Sequence, residues 1–338
     1  MNRINNLIVF ISFLLISACS TTSTNVQNQF DNIYSFNWTL VGKNKQFISI
    51  NEVVDKLAGY DVVVFGEAHG HPAVHLAQMQ LFELLNKQSQ QEYALSLEQF
   101  ERDTQSDLND YLSGEIGEDQ LIKVARAWDN YKYSYRPLVE YAKLKKLPVI
   151  AANAPKHTVL CVGRKGVGYL DTLDSDQRDF VAQQINTGDS AYKQRYFAFL
   201  SNSSSHGHSA DSSEMMKKMT ERSYSAQVIR DETMAESIAK HRRDNPKQRV
   251  LHLTGSYHAD YFQGTVERLQ QRMPDLKIAV IHPDDKTHAQ QEKQAINDAD
   301  IATINLIVKS LPERFIQDDN RLEWSKKILK KRLDFKCQ

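Results

Sequence analysis

Five short apolar runs, at residues 61–65, 93–97, 147–151, 249–253 and 276–281, recur along the chain, each rich in β-branched residues or flanked by turn formers. Runs this short that are apolar throughout, rather than alternating with polar residues, read as strands buried on both faces. Segments of helical periodicity lie between them, at residues 72–87, 120–128, 135–146, 213–243 and 261–273. Strands that alternate with helices imply an α/β fold, with a mainly parallel central sheet flanked by helices. Residues 174–245 hold no good strand candidate and many helix formers, and read as a helical insert or lid. The pattern thins after residue 290, where 301–308 reads as an edge strand and 320–333 as a basic helix.

The first residues follow a different logic. Arg3 is a short basic region, an apolar stretch covers residues 7–16, and the small residues Ser17 and Ala18 precede Cys19. The apolar stretch is well short of the roughly 20 residues that span a bilayer, so it reads as an export signal. The segment Leu15-Ile16-Ser17-Ala18-Cys19 resembles a lipobox, which makes Cys19 the lipid-bearing first residue after cleavage. Ser20 rather than Asp in the next position points to the outer membrane of a Gram-negative cell. The expected organisation is a signal peptide over 1–18, a lipidated flexible tether over 19–45, an α/β domain over 46–285, and an edge strand with a basic helix over 286–338. Cys161 and Cys337 remain, and an oxidising periplasm would permit a bridge between them; spacing alone leaves it open. With 42 acidic and 42 basic residues the formal charge is zero, so there is no net positive field for nucleic acid.

The residues that follow each strand carry the functional signal. The first run leads into Gly66-Glu67-Ala68-His69-Gly70-His71, the second into Glu98, the third into Asn153-Ala154-Pro155-Lys156, and the fourth into Gly255-Ser256-Tyr257-His258. In an open parallel sheet the carboxyl ends of the strands line one edge, so groups far apart in sequence can meet there. Glu67, His69, Glu98 and His258 supply two carboxylates and two imidazoles, suited to general acid and base work or to a divalent metal. The spacing Gly-x-x-His occurs twice, at Gly66 to His69 and at Gly255 to His258. Pro72 is well placed to open a helix whose N-terminus favours an anion, with His71 and His75 on its first turn.

The blocks Val-Phe-Gly-Glu-Ala-His from Val64, Leu-Ser-Leu-Glu-Gln-Phe from Leu95, Tyr-Arg-Pro-Leu-Val-Glu-Tyr-Ala from Tyr135, Val-Ile-Ala-Ala-Asn-Ala-Pro from Val149, Arg-Asp-Glu-Thr-Met-Ala from Arg230 and Leu-Thr-Gly-Ser-Tyr-His from Leu253 resemble the ChaN family of iron-regulated, haem-binding lipoproteins. That family belongs to the wider TIKI, TraB and erythromycin-esterase superfamily. The resemblance implies haem as cofactor, bound for iron acquisition at the outer membrane, with an outer-membrane haem receptor and a second copy of the chain as partners. Tyr133, Tyr135 and Tyr257 become the candidate axial ligands, Tyr135 first because it stands beside Arg136. The aromatic segment from Trp128 to Tyr135 becomes a platform for the porphyrin. Lys156, His157 and Arg136 become partners for its propionates, with Asn153 and His71 lining the site; Lys156 and His157 stand where many relatives carry arginine. The superfamily also contains hydrolases, which implies a rival reading in which Glu67, His69, Glu98 and His258 are catalytic and hold manganese, cobalt or zinc.

Cys19→Ala is expected to leave the chain unlipidated and move it out of the outer-membrane fraction. Radiolabelled fatty-acid incorporation and membrane fractionation check this, and unchanged labelling in the variant removes the lipobox assignment.

Overall fold

The computed structural model describes residues 38–42, 46–88, 92–203, 210–286 and 301–337. The signal, the lipobox and most of the tether lie outside the described residues. Eight strands form one sheet: β1 (Trp38–Gly42), β2 (Phe47–Ile48), β3 (Val62–Glu67), β4 (Tyr93–Glu101), β5 (Val149–Asn153), β6 (Arg249–Gly255), β7 (Ile278–Lys286) and β8 (Ile304–Lys309), in the order β2-β1-β8-β7-β3-β6-β4-β5. From β8 across to β5 every neighbouring pair is parallel. Only β1 is reversed, pairing antiparallel with both β8 and β2. The helices that position the site are α1 (Pro72–Gln88), α2 (Arg136–Lys145), α3 (Lys156–Lys165), α4 (Ala191–Ser203), α5 (Ala210–Asp244), α6 (Thr265–Arg272) and α7 (Asp318–Asp334).

Side chains alternate between the two faces of each strand, and both faces are covered. Val63 and Phe65 of β3, with Leu95, Leu97, Leu251 and Leu253, pack under Val74, Phe82 and Leu85 of α1 and Leu138 and Val139 of α2. Val62 and Val64, with Ala94, Ile150 and Val250, pack under Met234, Ala235 and Ile238 of α5 and Val266 and Leu269 of α6. This double burial is why the strands are apolar throughout.

Strand order does the rest. β6 lies between β3 and β4, so the ends of three strands distant in sequence stand side by side, with Glu67 opposite Gly255 and Leu97 opposite Leu253.

Several expectations need correction. The strand near residue 305 is not at an edge: β8 lies between β7 and β1. Its second neighbour comes from Trp38–Gly42, inside the expected tether, where five residues of strand are too few to stand out by composition. The sheet therefore runs through the expected boundary at 285/286. The segment 174–245 is helical over Ser175–Asp179, Ala191–Ser203 and Ala210–Asp244 and irregular over 180–190, yet the C-terminal half of α5 lies in the crossover between β5 and β6 and covers a sheet face, so it is a layer of the fold rather than a lid. The thiols of Cys161 on α3 and Cys337 are joined in a disulfide.

That disulfide closes a loop with a sequence separation of 176. Limiting so long a loop in the unfolded chain is worth about 3–5 kcal/mol. Cys161→Ser, or reduction of the wild type, is expected to lower the unfolding free energy by that amount in urea titrations; coincident curves with and without reductant contradict this.

Candidate functional site

Two glycines let the strand ends approach each other. A Cβ on Gly66 would sit 3.0 Å from Ser256 Cα and 3.2 Å from Ile281 O, and one on Gly255 would sit 3.0 Å from His69 Nε2. Each Gly-x-x-His motif thus has the residue that a close crossing of chain segments requires. Beyond Gly255 the chain turns through a short 3-10 helix, Ser256–His258, that carries His258 back over the edge.

Glu67 is buried on the α1 face of the sheet, and four donors surround its carboxylate. Oε1 accepts from Tyr135 OH at 2.5 Å, His69 Nδ1 at 2.7 Å and Gln99 Nε2 at 3.0 Å; Oε2 accepts from Gln78 Nε2 at 2.9 Å. His75 completes the chain. Its Nε2 accepts from the Gly70 N–H at 3.1 Å, so its Nδ1 carries the proton that it donates to Gln78 Oε1 at 2.9 Å. Burial lowers the His75 pKa, consistent with this neutral form. Burial pushes the Glu67 carboxyl up, but the hydrogen bond from His69, the imidazoles on either side and the hydrogen bond from Tyr135 outweigh it and hold Glu67 below its ordinary value.

Glu98 is buried toward the α5 face. Its Oε2 accepts from Thr254 Oγ1 and the Gly255 N–H, both at 2.7 Å, and its Oε1 faces His258 Nε2 at 3.7 Å. On its other side, His258 Nδ1 donates to Asp231 Oδ1 at 2.7 Å. Asp231 is fully buried in α5 and also accepts from Thr265 Oγ1 at 2.9 Å and Tyr192 OH at 2.8 Å. Burial disfavours charge on both Glu98 and His258, yet the ion cluster prevails. The His258 and His69 charges, with the Thr254 and Gly255 donors, hold Glu98 at about 2. Asp231 and Glu98 hold His258 above its ordinary value.

His69 stands between the two clusters with its side chain 45% exposed. Burial lowers its pKa, but the Glu67 hydrogen bond and the Glu98 and Glu67 charges raise it further than that. With Nδ1 committed to Glu67, its Nε2 is the open position, and the ring meets Trp128 edge-on at 5.0 Å. Arg230 lies close enough to depress both His69 and His258, as a lesser influence.

The structure therefore brings Glu67, His69, Glu98 and His258 together at the carboxyl edge of β3, β4 and β6. Other expected site residues lie elsewhere or are already committed. Tyr135 is fully buried and spends its hydroxyl on Glu67, so the phenol is no open ligand. Tyr133 is 87% exposed. Arg136 forms a two-point pair with Glu118. Asn153 is buried and donates to the Glu98 carbonyl at 3.0 Å. His71 is buried, with Nε2 against the Lys309 carbonyl at 2.8 Å. Lys156 is exposed at the start of α3, and the His157 ring meets that of Phe335 at a tilt, their centroids 5.2 Å apart. As for the metal reading, no three His, Cys, Asp or Glu side chains among the described residues are arranged to hold a metal ion.

Sequence reasoning missed Asp231, Arg195 and Arg230 as site residues, although Arg230 and Asp231 open one of the blocks that carry the resemblance. Tyr257, second choice from sequence, has the distinctive environment. Its hydroxyl is buried beside the Arg195 side chain, without a well-formed hydrogen bond among the described residues. The rings of Tyr192, Tyr196 and Phe199 stand 5.6–6.0 Å from its own. The Arg195 guanidinium lies over it at 4.3 Å and donates to its carbonyl at 2.9 Å. Burial pushes the Tyr257 phenol up to about 12, with Arg195 opposing.

The Glu98–His258 pair fixes a pH dependence. Glu98 is depressed from 4.5, so its contribution to stability is present above that pH and lost as pH falls toward about 2. His258 is raised from 6.5, so its contribution is complete below that pH and lost as pH rises through the folded value. Urea midpoints measured from about pH 3 to about pH 8 are expected to fall on both sides of the window between these values. Glu98→Gln is expected to flatten the acid limb, and an acid limb as steep as the wild type's contradicts the assignment.

Comparison with known proteins matches this architecture. One similar solved structure is the ChaN protein of Campylobacter jejuni, solved for its cofacial haem binding. It is 17% identical, with a TM-score of 0.59 over 81% of this chain and 97% of that one. A mutant erythromycin esterase in its open conformation is 13% identical, with a TM-score of 0.46 over 83% of this chain and 99% of that one. At such identities the first likeness speaks for the fold, and the second is too weak to add to it. No curated protein matches the chain. The family described as "Haem-binding uptake, Tiki superfamily, ChaN" matches residues 53–269, from before β3 to the middle of α6 and across the whole site, and the chain belongs to that family.

Proposed function

We propose that this chain binds haem at the edge formed by β3, β6 and β4, as an outer-membrane lipoprotein that takes part in iron acquisition. The observation that carries the reading is the Tyr257 hydroxyl, buried beside Arg195 inside a wall of aromatic rings and without a well-formed hydrogen bond among the described residues. A buried phenol without a well-formed hydrogen bond is costly in a folded protein, and a ferric iron would relieve that cost. Phenolate is an established kind of axial ligand, and Arg195 over the ring favours the charged form the metal needs. The rings of Tyr192, Tyr196 and Phe199 offer the flat apolar contact that a porphyrin requires. Arg230, half-buried and without a hydrogen bond or ion pair among the described residues, is the cation for a propionate. It replaces Arg136, Lys156 and His157 in that role. Haem supplies the iron to be carried; the chain supplies the ligand, the apolar wall and the counter-charge.

A second reading has one observation of its own. His69 is a half-exposed imidazole whose Nδ1 is held by the buried Glu67, which leaves Nε2 open as a proton acceptor. That is the arrangement of a general base, here needing no metal ion for its orientation.

Titration of the chain from Ser20 onward with ferric haem separates the two. The wild type is expected to give a saturable Soret change at micromolar haem. Tyr257→Phe, which keeps the ring and deletes the oxygen, is expected to weaken binding roughly tenfold or more and change the spectrum, while Tyr135→Phe leaves both unchanged. Wild-type affinity and spectrum in Tyr257→Phe exclude it as ligand. Absence of haem binding, together with ester hydrolysis abolished in His69→Gln, puts the hydrolase reading ahead.

A further inference from the structure

The turn that leads away from His258 is held in a conformation that its residues resist. Tyr261 and Phe262 both have left-handed backbone, at φ 61° and 57°, a region that side chains other than that of glycine enter at a cost. Neighbouring segments pin the turn there. The Tyr261 N–H donates to the Ile301 carbonyl at 2.9 Å, the Phe262 N–H donates to that of Ala259 at 3.1 Å, and Asp260 Oδ1 lies 2.8 Å from His282 Nδ1. At 264, where φ is 58°, the chain does carry glycine, and a Cβ there would sit 2.5 Å from the His258 carbonyl oxygen. Glycine at 261 or 262 would take the same backbone without strain, so each side chain there must contribute something that glycine cannot.

Phe262 contributes packing, against the core that holds Val266, Leu269 and Ile278. Tyr261 is outside that core and 39% exposed. Its ring faces Arg195, whose Cζ lies 5.1 Å from the ring centroid. The same guanidinium lies 4.3 Å from the Tyr257 ring and 5.4 Å from that of Tyr192. Its Nη2 donates to the Tyr257 carbonyl at 2.9 Å, and its Nε is buried without a hydrogen bond among the described residues. A long side chain reaching out of α4 is thus placed by one carbonyl and by aromatic faces, each of which attracts a cation. Tyr192 is fixed independently, by its hydrogen bond to Asp231. Tyr261 is fixed by the strained turn.

We propose that Tyr261 is a positioning residue, whose left-handed turn sets its ring against Arg195 so that the guanidinium stays over Tyr257. It acts through Arg195 and not by touching the iron. Strained backbone persists where the surrounding structure over-determines it, and it gathers at ligand sites because it holds groups in place before the ligand arrives. Here the group held is the cation that favours a charged Tyr257 oxygen. The inference rests on the haem reading of Tyr257 and deepens it, by naming what aims the charge beside that phenol.

The test is a double-mutant cycle in the chain from Ser20 onward, with thermal unfolding of the haem-free protein as a second readout. Tyr261→Gly is expected to weaken ferric haem binding roughly fivefold or more. Its haem-free thermal midpoint is expected to hold or rise, because glycine accepts the left-handed backbone. Tyr261→Phe keeps the ring and is expected to recover most of the lost affinity. In an Arg195→Gln background, which already lacks the cation, Tyr261→Gly is expected to cost nothing further. The proposal is overturned if Tyr261→Gly loses as much affinity with Arg195 replaced as with Arg195 present. It is also overturned if the haem-free midpoint of Tyr261→Gly falls by more than about 4 °C, which assigns the side chain to packing. Absence of haem binding by the wild type defeats the haem reading and this proposal with it, whereas wild-type binding that Tyr261→Gly leaves intact defeats the role of Tyr261 alone.

Discussion

Charge placed inside a protein has to be answered by charge or by hydrogen bonds, because burial otherwise drives the group to neutrality. Three buried carboxylates, Glu67, Glu98 and Asp231, impose that requirement at one edge of this sheet. Nearly everything around them answers it. Tyr135, Gln78 and Gln99 are occupied by Glu67, Thr254 and the Gly255 amide by Glu98, and Thr265 and Tyr192 by Asp231. The two imidazoles that remain, His69 and His258, are each held at Nδ1 by a carboxylate. The network ties α1, α5 and α6 to the ends of β3, β4 and β6, so the site and the packing of the helical layers are one construction.

Much of this was legible before the structure. The five apolar runs are strands because burial on both faces removes the need for polar alternation, and the residues after them converge because β6 lies between β3 and β4. The repeated Gly-x-x-His spacing is a local signal, and both glycines stand where a side chain would collide with the neighbouring segment. Other parts were hidden for physical reasons. Asp231 and Arg230 lie in the middle of a 35-residue helix, where only tertiary packing distinguishes a buried acid from a solvated one. Tyr135 and Tyr257 looked alike as candidates, since adjacency to Arg136 or His258 does not say which way a phenol points. The first is an internal donor to Glu67; the second lies under Arg195 with no well-formed hydrogen bond at its oxygen among the described residues. The strand at Trp38–Gly42 is too short to be noticed until β8 is seen to need a neighbour on its other side.

The same contrast explains why the chain fits haem better than a divalent metal. A metal site needs carboxylate oxygens and imidazole nitrogens converging with free lone pairs, and here most of those lone pairs are already engaged. What remains open is a phenol in an aromatic wall, a half-buried arginine and the outer nitrogen of His69. Those groups suit a large flat ligand that brings its own metal and its own carboxylates.

The most direct measurement is resonance Raman spectroscopy of the ferric haem complex of the chain from Ser20 onward, prepared with ordinary and with ring-deuterated tyrosine. The account predicts iron-phenolate modes that shift on deuteration and disappear in Tyr257→Phe. A saturated haem complex without such modes, or one in which they persist in Tyr257→Phe, would contradict it.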